Sequence, residues 1–248
     1  MGDLTENNRK HFDKVASNHQ ADFGDLIQTA IRELEARRHW ISSRWTDTDT
    51  DSQIRLLDYA CGAGTVSKAL APYVTQAIGL DLSENMVAEY NKAALEVGYT
   101  AERMQAYQFD LLAGDSSARD SLPPGILSPS SFDVIIICLA LHHVADPARL
   151  LGRFAGLLNP GGVCVVLDMA RTETDDLPDL ERDLEPEHLG VMDTIKQHGF
   201  TGEEIRALYE GIGMWRGFDH KVIEEKFRFT MFGKRFSYTA FLARGEVS

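Results

Sequence analysis

Along the chain the spacing of apolar residues switches between helical and strand-like, and the switch-points predict the elements. Between Thr5 and Trp45 the spacing is helical, with Phe12, Val15 and Ala16 on one face and Leu26, Ile27, Ala30, Ile31 and Leu34 on another, which predicts two helices. The run Thr46-Asp47-Thr48-Asp49-Thr50-Asp51-Ser52 has no apolar residue to bury and predicts a mobile surface loop. Ile54 to Tyr59 then reads as a buried strand. Gly62 and Gly64 let the backbone turn tightly into a helix over Val66–Leu70.

The same unit recurs. Ala77–Leu82 predicts a second strand ending on Asp81, and Ser83 caps a helix carrying Met86, Val87 and Tyr90. Gln105–Phe109 is a third strand that delivers Asp110. Ala113–Ser131, rich in Gly, Ser and Pro, predicts a surface crossover without chemistry. Apart from Asp133, Phe132–Leu139 is continuously apolar and rich in β-branched residues, as a central parallel strand covered on both faces should be. Asp146-Pro147 sets a capping side chain and a first-turn proline before a helix that buries Leu150, Leu151, Phe154, Leu157 and Leu158. Asn159-Pro160-Gly161-Gly162 turns the chain into a fifth strand, Val163–Leu167. Arg171–His198 carries Asp175, Asp176, Asp179, Glu181, Asp183, Glu185 and Glu187, and reads either as a solvated face or as a lid whose inner side holds Met192, Ile195 and Phe200. Thr201 caps a last helix through Ala207-Leu208-Tyr209. Trp215–Phe229 and Phe236–Ala243 predict two closing strands around a Gly233-Lys234 turn.

At 248 residues and 27.6 kDa the chain is long enough for one large α/β domain, and no composition break forces a second core. Within that domain, 1–52 holds helices and a linker, 53–170 the ligand-binding core, 171–201 a lid or insertion, and 202–248 the last helix and closing strands. A net charge of −13 and a pI near 5.0 argue against a protein that must neutralise a phosphate backbone, which leaves a small molecule as the expected substrate. Cys61, Cys138 and Cys164 match no metal spacing and, being odd in number, no disulfide framework, so they read as reduced core residues. The polar Met1–Lys10 and the lack of a membrane-length apolar run predict a cytosolic protein.

The glycine turn carries the candidate chemistry. The first amides of its helix point outward at the positive end of the dipole and favour an anionic or strongly hydrogen-bonding ligand. Gly62-x-Gly64-x-x-Ser67 lacks the third glycine of a dinucleotide fingerprint, although Asp81 follows at about the distance of a ribose-binding acid. Asp58, just ahead of the turn, would repel a pyrophosphate and attract an ammonium or sulfonium.

Asp58-Tyr59-Ala60-Cys61-Gly62-Ala63-Gly64 resembles the first motif, acid-x-Gly-x-Gly-x-Gly, of the class I S-adenosylmethionine (SAM) methyltransferases, with Ala60 in place of the first glycine. Leu141-His142-His143 paired with Pro160-Gly161-Gly162 is similar to the UbiE-like small-molecule methyltransferases, and together the two resemblances cover roughly Ile54 to Asp168. They imply an α/β, Rossmann-like sheet of seven mostly parallel strands, helices on both faces, an antiparallel last strand and an N-terminal helical extension. They also imply that Asp81 accepts both ribose hydroxyls and that Asp110 pairs with the adenine amino group beside the backbone amide of Leu111. Asp58, Ala60, Cys61, Gly62, Gly64, Leu82, Met86 and Cys138 would complete the site, with S-adenosylhomocysteine as product. Within the family the chain looks most like fungal enzymes that modify hydroxyls or thiols of secondary metabolites, including reduced epidithio compounds.

In-line methyl transfer from a sulfonium mainly needs a nucleophile at near-attack distance with a removable proton. His142 and His143 at the end of the fourth strand, and His198 ahead of the last helix, are the candidate bases, with a structural role for each as the alternative. A thiol acceptor would need little such help. The fourth strand ends in Leu139-Ala140-Leu141-His142 rather than in the Asn/Asp-Pro-Pro-aromatic cluster of nucleic-acid and glutamine methyltransferases. Two rivals stand beside this reading. An NAD-dependent dehydrogenase would share the turn and Asp81 but have no use for Asp58 or Asp110. A SAM-binding protein without methyl transfer would keep the whole cofactor site.

Overall fold

The computed structural model describes residues 3–45, 53–113, 122–172 and 177–247. The loop expected at 46–52, residues 114–121 of the expected crossover, and Asp175 and Asp176 of the acidic run lie outside the described residues.

Seven strands form the main sheet: β1 (Arg55–Tyr59), β2 (Gln76–Asp81), β3 (Met104–Gln108), β4 (Phe132–Cys138), β5 (Leu158–Met169), β6 (Arg216–Val222) and β9 (Ala240–Glu246), while β7 (Phe227–Met231) and β8 (Lys234–Tyr238) pair separately. The order is β3-β2-β1-β4-β5-β9-β6. β1 to β5 run parallel, and β9 lies antiparallel between β5 and β6. The chain reverses its direction of travel across the sheet between β1 and β4, and the crevice beyond the carboxyl ends at such a reversal is where open α/β sheets bind ligands.

The helices are α1 (Leu4–Val15), α2 (His19–Ala36), α3 (Arg38–Ile41), α4 (Thr65–Leu70), α5 (Glu84–Glu96), α6 (Pro147–Leu157), α7 (Leu180–Asp183) and α8 (Gly202–Gly211). Their starts follow the sequence signals. The Ser83 hydroxyl accepts the Met86 amide at 3.0 Å, Asp146 accepts the Arg149 amide at 2.9 Å, and Thr201 forms a reciprocal box with Glu204. The sheet is held by burial on both faces. Val134 and Ile136 of β4 join the layer with Leu26, Leu34 and Val66, whereas Ile135 and Ile137 join the layer with Leu150, Leu151 and Phe154. All four β4 side chains are fully buried, each contributing about 1.5–3 kcal/mol, so the strand tips are a rigid platform. Among the described residues no helix is long and apolar enough to cross a membrane.

The carboxyl-terminal part differs from the two closing strands expected. Four strands form there, because Ile223 is pinned in the core, 1% exposed with its amide on the Ala240 carbonyl at 2.8 Å, and the exposed Glu224-Glu225 pair bends the chain away. β6 and β9 therefore close the main sheet, with β9 inside it rather than at its edge. The Gly233 turn belongs instead to the β7–β8 hairpin, whose Phe229 stacks on Phe23 of α2 at 5.4 Å.

Candidate active site

The carboxyl ends of β1, β2 and β4 open into a cavity of about 270 Å³, and Asp58, Asp81 and Asp110 all line it. Asp58 is 1% exposed; one oxygen accepts the Ser67 amide at 3.1 Å and the Ser67 hydroxyl at 2.8 Å, and that hydroxyl in turn accepts from Tyr90 at 2.7 Å. Burial outweighs these bonds and pushes the Asp58 carboxyl up to about 8. Asp81 uses one oxygen for the Gly62 amide at 2.8 Å and the other for the Ser83 amide at 2.9 Å. Burial raises it as well, against the pull of those amides. Asp110 accepts the Leu112 amide at 2.7 Å. Asp58 Oδ2 already accepts two bonds, whereas the oxygens of Asp81 and Asp110 retain lone pairs for a ligand.

The turn between β1 and α4 is shaped by positive φ angles at Ala60 (54°), Gly62 (49°) and Gly64 (87°). A Cβ on Gly62 would meet nothing within 4 Å, because that residue faces the open cavity. A Cβ on Gly64 would come within 3.0 Å of the Tyr90 ring. Gly64 thus serves close packing of the turn, and it is not among the residues that line the cavity. Leu111 is expected to act through its backbone amide. Its side chain enters the core at 6% exposure, while the turn that Asp110 makes with the Leu112 amide brings Leu112 to the wall. Ala60, Cys61, Leu82, Met86 and Cys138 line the cavity, and burial pushes both thiols well up, leaving them as S–H groups. Carboxylates with spare lone pairs for hydroxyl and amino groups, an open glycine, apolar side walls and no Lys or Arg among the described lining residues make a donor and acceptor set that fits SAM.

The histidines divide. The His142 imidazole is largely buried, with Nδ1 2.7 Å from Asp168 Oδ1 and its backbone amide donating to Oδ2 at 3.2 Å. Asp168 is fully buried and also accepts the Met169 amide at 2.7 Å. A proton on Nδ1 facing the carboxylate leaves a lone pair on Nε2, which has no partner among the described residues. His143 packs against the His142 ring at 4.1 Å and donates from Nδ1 to the Thr194 carbonyl at 2.6 Å; burial holds it well below the usual histidine range. His198 lines the cavity from an exposed position.

Sequence reasoning missed Asp168, although it stands at the tip of β5 as Asp58 and Asp81 stand on theirs, and the same criterion would have found it. It also missed the apolar walls from α1, α2 and the hairpin, including Phe12, Phe23, Phe229 and Tyr238. No local pattern reports these, since they meet only in the fold.

Residues 57–164 match a family model described as a methyltransferase domain. An uncharacterised methyltransferase of Schizosaccharomyces pombe is 27% identical over 210 residues, covering 81% of this chain and 70% of that protein. A ubiquinone biosynthesis O-methyltransferase of Xylella fastidiosa is 34% identical over 122 residues, 49% of this chain; the match spans only 44% of that relative's length. Among solved structures, a SAM-dependent methyltransferase from Anabaena variabilis aligns with 100% of this chain and 96% of its own at a TM-score of 0.64 and 19% identity, a likeness of fold. A methyltransferase-domain match over residues 57–164, lying on the strands that carry Asp58, Asp81 and Asp110, favours the SAM reading over the nicotinamide rival.

Proposed function

We propose that the protein transfers the methyl group of SAM to an oxygen or sulfur nucleophile of a small molecule, acting in the cytosol as one domain. The observation that carries this reading is His142, fixed on buried Asp168 at 2.7 Å and lining the same cavity as the three strand-tip acids. Asp81 and Asp110 hold the ribose and adenine, Asp58 favours the positive charge, and Ala60, Cys61, Gly62, Leu82, Met86 and Cys138 form the walls around them. When bound, SAM supplies a methyl group on a positively charged sulfur that leaves as neutral S-adenosylhomocysteine.

His142 Nε2 takes the proton released by an acceptor hydroxyl. An acceptor thiol, with a free pKa near about 8.5, releases its proton with less help. His143 and the segment 177–198 hold the histidine turn. The Lys196 and Gln197 amides donate to the His142 carbonyl at 2.9 and 3.1 Å, and Leu177, Thr194 and Ile195 line the cavity, which supports the lid reading of that segment. The free thiols Cys61, Cys138 and Cys164 accord with a reducing compartment. Phenolic hydroxyls and reduced dithiols of fungal secondary metabolism are acceptors of the proposed kind.

A screen of phenols, quinols and dithiols that reads S-adenosylhomocysteine release tests this. With a hydroxyl acceptor, His142→Gln is expected to lower kcat by about 10²–10⁴-fold and Asp168→Asn by less, with SAM affinity unchanged. An unaltered kcat in His142→Gln removes it as the base. Tight SAM binding with no turnover of any acceptor would favour a SAM-binding protein without methyl transfer.

A further inference from the structure

Tyr238 ends β8, lines the cavity and is 4% exposed. Its ring is held by Phe227, stacked at 5.8 Å between centroids, and by Phe229, edge-on at 6.0 Å. The backbone joins it to β5: the Ala170 amide donates to the Thr239 carbonyl at 2.8 Å, and Ala240 pairs with Met169, the residue after Asp168. Two other buried tyrosines spend their hydroxyls inside the protein, Tyr90 on the Ser67 hydroxyl at 2.7 Å and Tyr209 on the Cys164 carbonyl at 3.2 Å. The Tyr238 hydroxyl bonds no described residue, and its oxygen is not sealed off by protein, so the exposed part of this side chain includes the hydroxyl. Burial, then nearby Asp168 and Cys138, push the phenol well above its ordinary value, which keeps it an O–H donor through neutral pH. The strand order places this donor. Asp58, Asp81 and Asp110 stand at the β1, β2 and β3 ends, on one side of β4, whereas Asp168 stands at the β5 tip on the other and holds His142 at 2.7 Å. Tyr238 is joined to that β5 end, with the candidate base and away from the acids given to ribose and adenine.

We propose that Tyr238 binds the acceptor: its hydroxyl donates a hydrogen bond to the atom that takes the methyl group, and this contact makes the site prefer an oxygen nucleophile to a sulfur one. The proposal rests on the methyltransferase reading for the reaction, and on the structure alone for the free donor. A hydroxyl oxygen carries one proton and two lone pairs. The proton goes to His142 Nε2. One lone pair forms the bond to the methyl carbon while the sulfur–methyl bonding pair stays with the departing, neutral sulfur. The second lone pair accepts from Tyr238, which keeps its own proton throughout. An oxygen held by two fixed side chains has little freedom left to lose on the way to in-line attack. Sulfur is a weak acceptor and gains little from the same donor.

Tyr238→Phe in the full chain tests this with probes of one ring body, 2-naphthol, 2-naphthalenethiol and 2-methylnaphthalene, near neutral pH. In titration calorimetry with S-adenosylhomocysteine present, the variant is expected to bind 2-naphthol about tenfold more weakly than wild type and 2-methylnaphthalene equally. With SAM, kcat/KM for 2-naphthol is expected to fall about 10- to 100-fold, and for 2-naphthalenethiol by no more than about threefold. Tm and SAM affinity are expected to hold, because the deleted hydroxyl bonds no described residue of the free protein. A hydroxyl that serves only the fold would instead lower Tm and leave the ratio of oxygen to sulfur turnover unchanged. Equal losses for naphthol and thiol, a loss shared by 2-methylnaphthalene, or a wild type that binds no naphthol would overturn the proposal. So would a fall in SAM affinity, which would give the hydroxyl to the cofactor. A wild type that binds 2-naphthol but transfers no methyl group to any acceptor would sink the methyltransferase reading instead, and the calorimetric loss in Tyr238→Phe would still decide the contact.

Discussion

The cofactor half of the cavity and its acceptor half are held together over very different distances along the chain. Asp58 is anchored by Ser67, Asp81 by Ser83 and Asp110 by Leu112, so each acid is set by a partner within the same strand-turn-helix unit. On the acceptor side Asn8 reaches His143, His143 reaches Thr194, and Phe23 stacks on Phe229. Locally determined geometry on a rigid sheet suits a ligand that never changes. Walls drawn from two helices, a covering segment and a hairpin can be altered one at a time without touching the sheet, so the proposed function assigns selectivity for the acceptor to them.

The largest effect expected from breaking this division is on the cofactor side. Asp81→Ala removes the acceptor proposed for the ribose hydroxyls and also the support of the Gly62 amide, and SAM affinity should fall by about 2–3 kcal/mol in titration calorimetry. Binding of a phenol found in the acceptor screen to the nucleotide-free variant should stay within about twofold of wild type. If both ligands weaken together, the two halves are one cooperative unit and the comparison fails.

A second effect sharpens the comparison through pH. The unfolded Asp58 carboxyl titrates at its ordinary value of 3.8, whereas burial raises the folded one to about 8. Between those values the folded protein holds a proton that the unfolded chain has released, so this group's contribution is complete below the lower value and is lost as pH rises through the upper one. The loss is on the order of a few kcal/mol. Asp58→Asn has no proton to lose, and in thermal melts without ligand it should be the more stable protein at about pH 8 but not at about pH 5. SAM binding should move the other way. A cation favours ionised Asp58, so wild-type affinity rises with pH by up to about tenfold per unit toward that upper value, and the variant lacks the rise. Parallel pH profiles for the two proteins would show that Asp58 is not the titrating group.

The same division explains what was legible in the sequence. Asp58, the glycine turn, the Ser83 and Thr201 caps and the continuous apolar run of β4 each act over a few residues, and each forms where its pattern predicts. Leu112 stands on the cavity wall with its amide bonded to Asp110, a placement that no sequence pattern marks. Asn8 looks like any polar residue on an amphipathic helix, and its bond to the His143 carbonyl, far along the chain, is visible only in the fold. Trp215–Phe229 keeps strand-like spacing straight through Glu224-Glu225, so the bend that frees the hairpin becomes visible only when Ile223 is seen anchored beside β9.

The smallest expected effect lies inside the turn itself. Ala60 sits at φ 54°, in the left-handed region that disfavours any residue with a Cβ, at the position where the resembled motif carries glycine. That conformation costs an L-residue roughly 1–2 kcal/mol, against about 0.5–1 kcal/mol of extra unfolded-chain freedom that glycine must surrender. Ala60→Gly should therefore stabilise the protein by up to about 1 kcal/mol, seen as a rise in Tm of about 2–4 °C for a chain of this size. Because Ala60 also lines the cavity, losing its methyl group can only widen the space beside the glycine turn, and SAM affinity should be equal or slightly higher. A lower Tm would mean that the methyl contacts hold the turn more firmly than its φ angle strains it. A selective loss of SAM binding at unchanged Tm would mean that Ala60 is itself a contact surface for the cofactor, and the boundary between packing and binding residues in this turn would then move from Gly62 back to the end of β1.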